Sequence, residues 1–261
     1  MLFPASALFL LLAIVLFKIP RYQNAVVLSH SRLYVGQQIN AHTQVFRGIA
    51  YANAPVARLR FSRPVPVTEQ PGLTIARNYG PACPQKAKYA LSNGISEDCL
   101  SLNIVRSSKR SKKAPVIVWI HGGNNNNGQS ALYDGLSFVE ASSNMGLPIL
   151  FVTINYRLNG FGFLASNDLL QDGNVNLGLH DQNLALHWVQ KHISAFGGNP
   201  EKVIVMGESA GAANTWSHLL RSSRSKAKLF HGAILISGSP GAVFPHGTPV
   251  QSSPLLDFLF N

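Results

Sequence analysis

Acidic residues are scarce. The 261-residue chain holds 11 Asp and Glu against 22 Lys and Arg, and charged residues make up only 13% of it against 46% hydrophobic. So little charge in so apolar a chain excludes a disordered polyelectrolyte and calls for a sizeable interior. Cysteine is equally rare. Cys83 and Cys99 are the only two, which excludes a disulfide-dense scaffold and leaves either one bridge in a secreted chain or two reduced thiols in the cytosol. No Asn-x-Ser/Thr sequon occurs, no internal repeat is found, and low complexity is confined to Asn124 to Asn127.

A net charge of +11 would suit an anionic partner. Much of the excess, however, sits in RSSKRSKK (106–113) and RSSRSKAK (221–228), two clusters between apolar runs with no interleaved aromatics. They read as solvated loops, and with no zinc-ligand spacing or nucleic-acid motif in the chain, nucleic acid is not an expected partner. The apolar run from Met1 to Phe17, closed by Lys18 and Arg21, reads as a signal peptide over residues 1–20. An uncleaved signal anchor and a buried core helix are the alternatives. The chain is therefore expected to be secreted, touching a membrane only through such an anchor, with a single domain over residues 21–261.

Short apolar runs alternate with helical patterns, as in βα units feeding a mainly parallel sheet. Strands are expected at PVIVWIHGG (115–123), PILFVTINYR (148–157), KVIVMGE (202–208) and GAILISGS (232–239). A helix is expected over 181–196, burying Leu184, Leu186, Trp188, Val189 and Ile193 and stopped by Gly197-Gly198-Asn199-Pro200. Another should run from about Ser209 to Leu220. The stretch before Pro115 is rich in prolines and reads as an irregular layer against the sheet.

Between a strand and a helix stands Gly207-Glu208-Ser209-Ala210-Gly211. This is G-x-S-x-G in the setting that gives the motif meaning: a sharp turn exposing a serine hydroxyl at the sheet's C-terminal edge. The helix N-terminus behind it offers unpaired N–H groups to developing negative charge, that of Ala210 first. His121-Gly122-Gly123, after another buried strand, would supply the remaining oxyanion donors.

Taken together, FRGIAYANAPVARLRF (46–61), SEDCLSLNIV (96–105), PVIVWIHGG, INYRLNGFGFLAS (154–166), NLGLHDQNLALHWVQKHISAFGGNPEKV, GESAG and AILISGSP resemble the type B carboxylesterases. That group of α/β-hydrolases includes cholinesterases and many secreted fungal lipases, and the fungal members are nearest in pattern. The resemblance runs from about Phe46 to Pro240. It implies an α/β fold, a partial α/β-hydrolase with a mainly parallel twisted sheet, helices on both faces and the C-terminal strands missing. It also implies hydrolysis of small-molecule or lipid esters through an acyl-enzyme on Ser209, an oxyanion hole of Gly122, Gly123, Asn124 and Ala210, and no metal or cofactor. Cys83 and Cys99 match the family's first disulfide, and Arg60 with Glu97 and Arg157 with Asp181 match two structural ion pairs.

Departures accompany the match. A third glycine and an aromatic usually follow the HGG motif, where this chain has Asn124 and Asn125, whose side chains would intrude on an acyl oxygen. Ala50, Ala54 and Ala57 replace other usual residues. In this fold an acid and then a histidine follow the serine. After Ser209 the only acid is Asp257, and His218, His231 and His246 all precede it. His218 is nine residues on, ~13 Å along a helix axis. The family's chain is roughly twice as long, with its acid and histidine in the second half. The expectation is thus a truncated ester hydrolase with little turnover of its own. The alternatives are a non-catalytic binding or adhesion protein on the same fold, as in neuroligin-like members, and, from charge alone, a nucleic-acid binder.

Overall fold

The computed structural model describes residues 24–109, 113–223 and 228–238. The segment 1–20, His246 and Asp257 lie outside them. Nine strands form one sheet: β1 (Asn24–Ser29), β2 (Arg32–Asn40), β3 (Thr43–Ala50), β4 (Gly72–Ile75), β5 (Ser101–Ser107), β6 (Ala114–Ile120), β7 (Leu150–Ile154), β8 (Gly198–Glu208) and β9 (Gly232–Ile236). Their order is β1-β2-β3-β5-β7-β6-β8-β9, with β4 paired to β2. From β7 through β6 and β8 to β9 the pairing is parallel. From β1 through β2, β3 and β5 to β7 it is antiparallel.

The stretch before Pro115 is therefore not an irregular layer. It supplies β1 to β5 to the same sheet. Its prolines at 55, 64, 66, 71, 81 and 84 all fall in the connections, where a missing N–H costs no ladder bond. The basic cluster beginning at Arg106 is also not wholly a solvated loop. Arg106, next to last in β5, is buried and donates to Gln44 Oε1 and the Phe196 carbonyl, both at 2.9 Å.

Alternation along the central strands feeds two cores. Val116, Val118, Ile120, Val152, Ile154, Val203 and Val205 point to one face. There they meet Leu186, Trp188 and Val189 of the helix Leu177–His192, with Ile193 and Phe196 of the 3-10 turn that follows it. Trp119, Phe151 and Met206 point to the other, against Val139 of the helix Leu136–Asn144. In chain order the helices are α1 (Leu136–Asn144), α2 (Asn159–Phe163), α3 (Asn167–Gln171), α4 (Leu177–His192) and α5 (Ala210–Ser223). Among the described residues no helix is long and apolar enough to cross a membrane.

Candidate active site

Strands β6 and β8 run side by side and end level, with Ile120 paired to Gly207. The residues following each strand therefore meet at one edge of the sheet. Ser209 sits between β8 and α5 with φ 53°, a left-handed backbone that an L-residue holds only when its surroundings enforce it. They do so through hydrogen bonds. The Ser209 N–H donates to the Ile236 carbonyl of β9 at 2.9 Å, and its own carbonyl accepts from Ala212 and Ala213 at 3.0 and 3.2 Å.

Backbone crowding explains the glycines around it. A Cβ on Gly211 would stand 2.1 Å from the Ile120 carbonyl oxygen. One on Gly122 would come 2.7 Å from the Glu208 carbonyl and 3.1 Å from the Ser209 Cβ. The HGG turn thus packs directly against the serine. Among the described residues the N–H groups of Gly122, Gly123 and Asn124 have no hydrogen-bond acceptor, and that of Ala210 opens α5, where no intrahelical partner exists.

Asn124 and Asn125 hold left-handed backbone, φ 57° and 55°, which asparagine tolerates better than most residues. Asn124 is exposed, and the Asn125 amide exchanges hydrogen bonds with Asn214 of α5, accepting at 2.9 Å and donating at 3.4 Å. The Tyr156 hydroxyl donates to the His121 carbonyl at 2.8 Å and lies 3.3 Å from Asn125 Oδ1. Tyr156 also stacks on the His121 ring, whose Nδ1–H donates to the Gly122 carbonyl at 2.8 Å. Burial pushes His121 down to about 4, so it is neutral and braces the turn.

A second brace comes from the cysteine region. Cys83 and Cys99 are bonded, with their Cα atoms 5.0 Å apart. Two residues on, Gln85 forms a reciprocal amide pair with Gly128, both bonds at 2.9 Å. Asn155 and Asn159 reach the Pro81 and Pro84 carbonyls at 3.0 and 2.7 Å. Gln85, Asn155, Asn159, Tyr156 and Asn214 were invisible as site residues from sequence, since an amide announces its partner only after the chain is folded.

The remaining expected residues lie away from the serine. Asp181 of α4 accepts from Arg157 Nη2 at 2.8 Å, Nε at 2.9 Å and the backbone N–H at 3.0 Å, with both side chains buried. Arg157 Nη1 donates to the Arg60 and Ser62 carbonyls. Arg60 itself forms a bidentate, half-exposed pair with Glu97 at 2.6 and 2.9 Å. His218 is buried against Gln182 Oε1 at 2.9 Å, and burial holds it down to about 4. His231 is exposed at the foot of β9. Among the described residues the Ser209 hydroxyl makes no hydrogen bond to a histidine.

A model of the carboxylesterase family matches residues 32–250. Lipase 2 of Geotrichum candidum is 39% identical over 236 residues, 77% of this chain and 42% of that lipase. Acetylcholinesterase of Bungarus fasciatus is 42% identical over 227 residues, 82% of this chain and 36% of that enzyme. Among solved structures, a Geobacillus stearothermophilus carboxylesterase superposes with a TM-score of 0.73 at 39% identity, covering 83% of this chain and 44% of that one. A PNB esterase gives 0.70 at 37%, covering 81% and 43%. The chain spans less than half the length of these relatives, and by the extent of the match it belongs to the carboxylesterase family.

Proposed function

We propose that the protein is a carboxylic ester hydrolase in which Ser209 is the nucleophile and the N–H groups of Gly122, Gly123, Asn124 and Ala210 receive the oxyanion. The observation that carries this reading is the strained backbone of Ser209, φ 53°, pressed against a glycine turn whose N–H groups have no acceptor among the described residues. Strain at such a turn is retained where function needs it. In the reaction the serine oxygen bonds to the acyl carbon and the carbonyl oxygen takes the negative charge. The alcohol then leaves with a proton, and water releases the acid. Small-molecule or lipid esters are the substrates, as the names of the relatives suggest. An extracellular setting fits the Cys83–Cys99 bond and a relative named as a secreted lipase of Botryotinia fuckeliana.

Proton removal from Ser209 is the step that the described residues do not serve. His218 is committed to Gln182, and no Ser-acid-His order is completed within the 261 residues. The chain on its own is therefore expected to turn over esters poorly. Labelling with a fluorophosphonate and burst release from a p-nitrophenyl ester, each compared with Ser209→Ala, test this. Slow labelling that disappears in Ser209→Ala is expected. A fast burst would sink the claim of impairment, and labelling that persists in Ser209→Ala would remove the serine from its role.

A further inference from the structure

Far from Ser209, three residues meet at the antiparallel end of the sheet. His30 lies in the tight turn between β1 and β2, Glu69 in the loop ahead of β4, and His192 is the last residue of α4. His192 leads through a short turn into β8, whereas Ser209 follows the other end of that strand, whose paired stretch runs beside β6 from Ala114 to Ile120, roughly 20 Å by strand rise. One imidazole nitrogen of each histidine and a Glu69 carboxylate oxygen lie within 4.8 Å of one another. The three line a cavity of about 160 Å³.

Its innermost member is held in place. His192 is buried, stacks on Trp188 with 4.7 Å between ring centroids, and meets the His30 ring edge to face at 5.0 Å. Its Nδ1 lies 3.0 Å from the buried Ser29 hydroxyl, and its Nε2 lies 3.3 Å from Glu69 Oε1.

We propose that His30, Glu69 and His192 form a zinc-binding site, separate from the ester chemistry, that staples the β1–β2 hairpin and the loop around Glu69 to the end of α4. Two imidazoles and a carboxylate, with water in the fourth position, are a set that zinc takes. If the Ser29 hydroxyl accepts the His192 Nδ1–H, Nε2 is left bare toward the ion, the usual outer-shell arrangement around a zinc-bound histidine. Two cations border the site. Arg32 donates to Thr74 at 3.2 Å. Lys191 places its ammonium 2.7 Å from Glu69 Oε1, where it competes with the metal. Its side chain is largely exposed, so binding displaces it into solvent.

Titration of the full chain with zinc chloride, followed by calorimetry and by thermal melting, tests the site. One equivalent is expected to bind and to raise the melting temperature. Affinity should fall more than about tenfold in His30→Ala and in Glu69→Gln, as removal of even an outer-shell partner costs roughly that much. Lys191→Met should tighten binding several-fold. His30 and Glu69 are exposed, so these variants leave the core intact. Absence of saturable binding, or equal affinity in the wild type, His30→Ala and Glu69→Gln, overturns the proposal.

Discussion

Replacing Asp181 by Ala should be among the most damaging single changes in this protein. Asp181 accepts three hydrogen bonds from Arg157, and both side chains are almost wholly withdrawn from water, at 2% and 0% exposure. Once the carboxylate is gone, the guanidinium stays buried, tied to the Arg60 and Ser62 carbonyls, with no counter-charge. Leaving one partner of a buried pair unpaired costs about 3–5 kcal/mol, roughly a fifth or more of a typical stability of ~5–15 kcal/mol. For a domain of this size that is a fall in melting temperature of roughly 6–20 °C. Urea denaturation of the wild type, Asp181→Ala, Arg157→Met and the double variant Arg157→Met/Asp181→Leu measures it. The double variant should recover part of the loss, because two matched apolar side chains bury no charge. A loss below about 1 kcal/mol for Asp181→Ala would refute the reasoning, since an effect that small belongs to solvent-exposed pairs.

Reduction of the Cys83–Cys99 bond, or Cys83→Ser with Cys99→Ser, releases a loop of sequence separation 16 and should cost ~3 kcal/mol by the chain-entropy model. Differential scanning calorimetry with and without reductant reads this. Stability should also fall on acidification. Buried His121 and His218 bind protons only near pH 4 in the folded chain but near pH 6.5 when unfolded. Between those values the unfolded state binds more protons, so stability drops as pH falls, by up to about 1.4 kcal/mol per pH unit for each group. Denaturation at pH 7 and pH 5 checks the sign, and His218→Gln should flatten the slope.

Much of the architecture was legible in the one-dimensional pattern. The strands at Ala114–Ile120, Leu150–Ile154, Gly198–Glu208 and Gly232–Ile236 are apolar runs ended by turn residues, and the serine turn announces itself by its glycines. Periodicity of that kind survives in sequence because each strand answers to its own burial. Among the N-terminal strands β4 was hidden by the prolines at 55, 64, 66, 71, 81 and 84, which crowd the connections on either side of it. Nor does a strand's pairing direction leave a mark on its own residues.

By itself, then, the sequence determined the family and the place of Ser209 between a strand and a helix. Those are properties of neighbouring residues along one chain. Tertiary structure alone decided that Gly122 lies against Ser209, that Asn125 turns to Asn214, that His218 is spent on Gln182, and that His30, Glu69 and His192 meet. Each of these depends on which surfaces close upon one another when the apolar faces leave water, and amides, histidines and carboxylates find partners only after that closure.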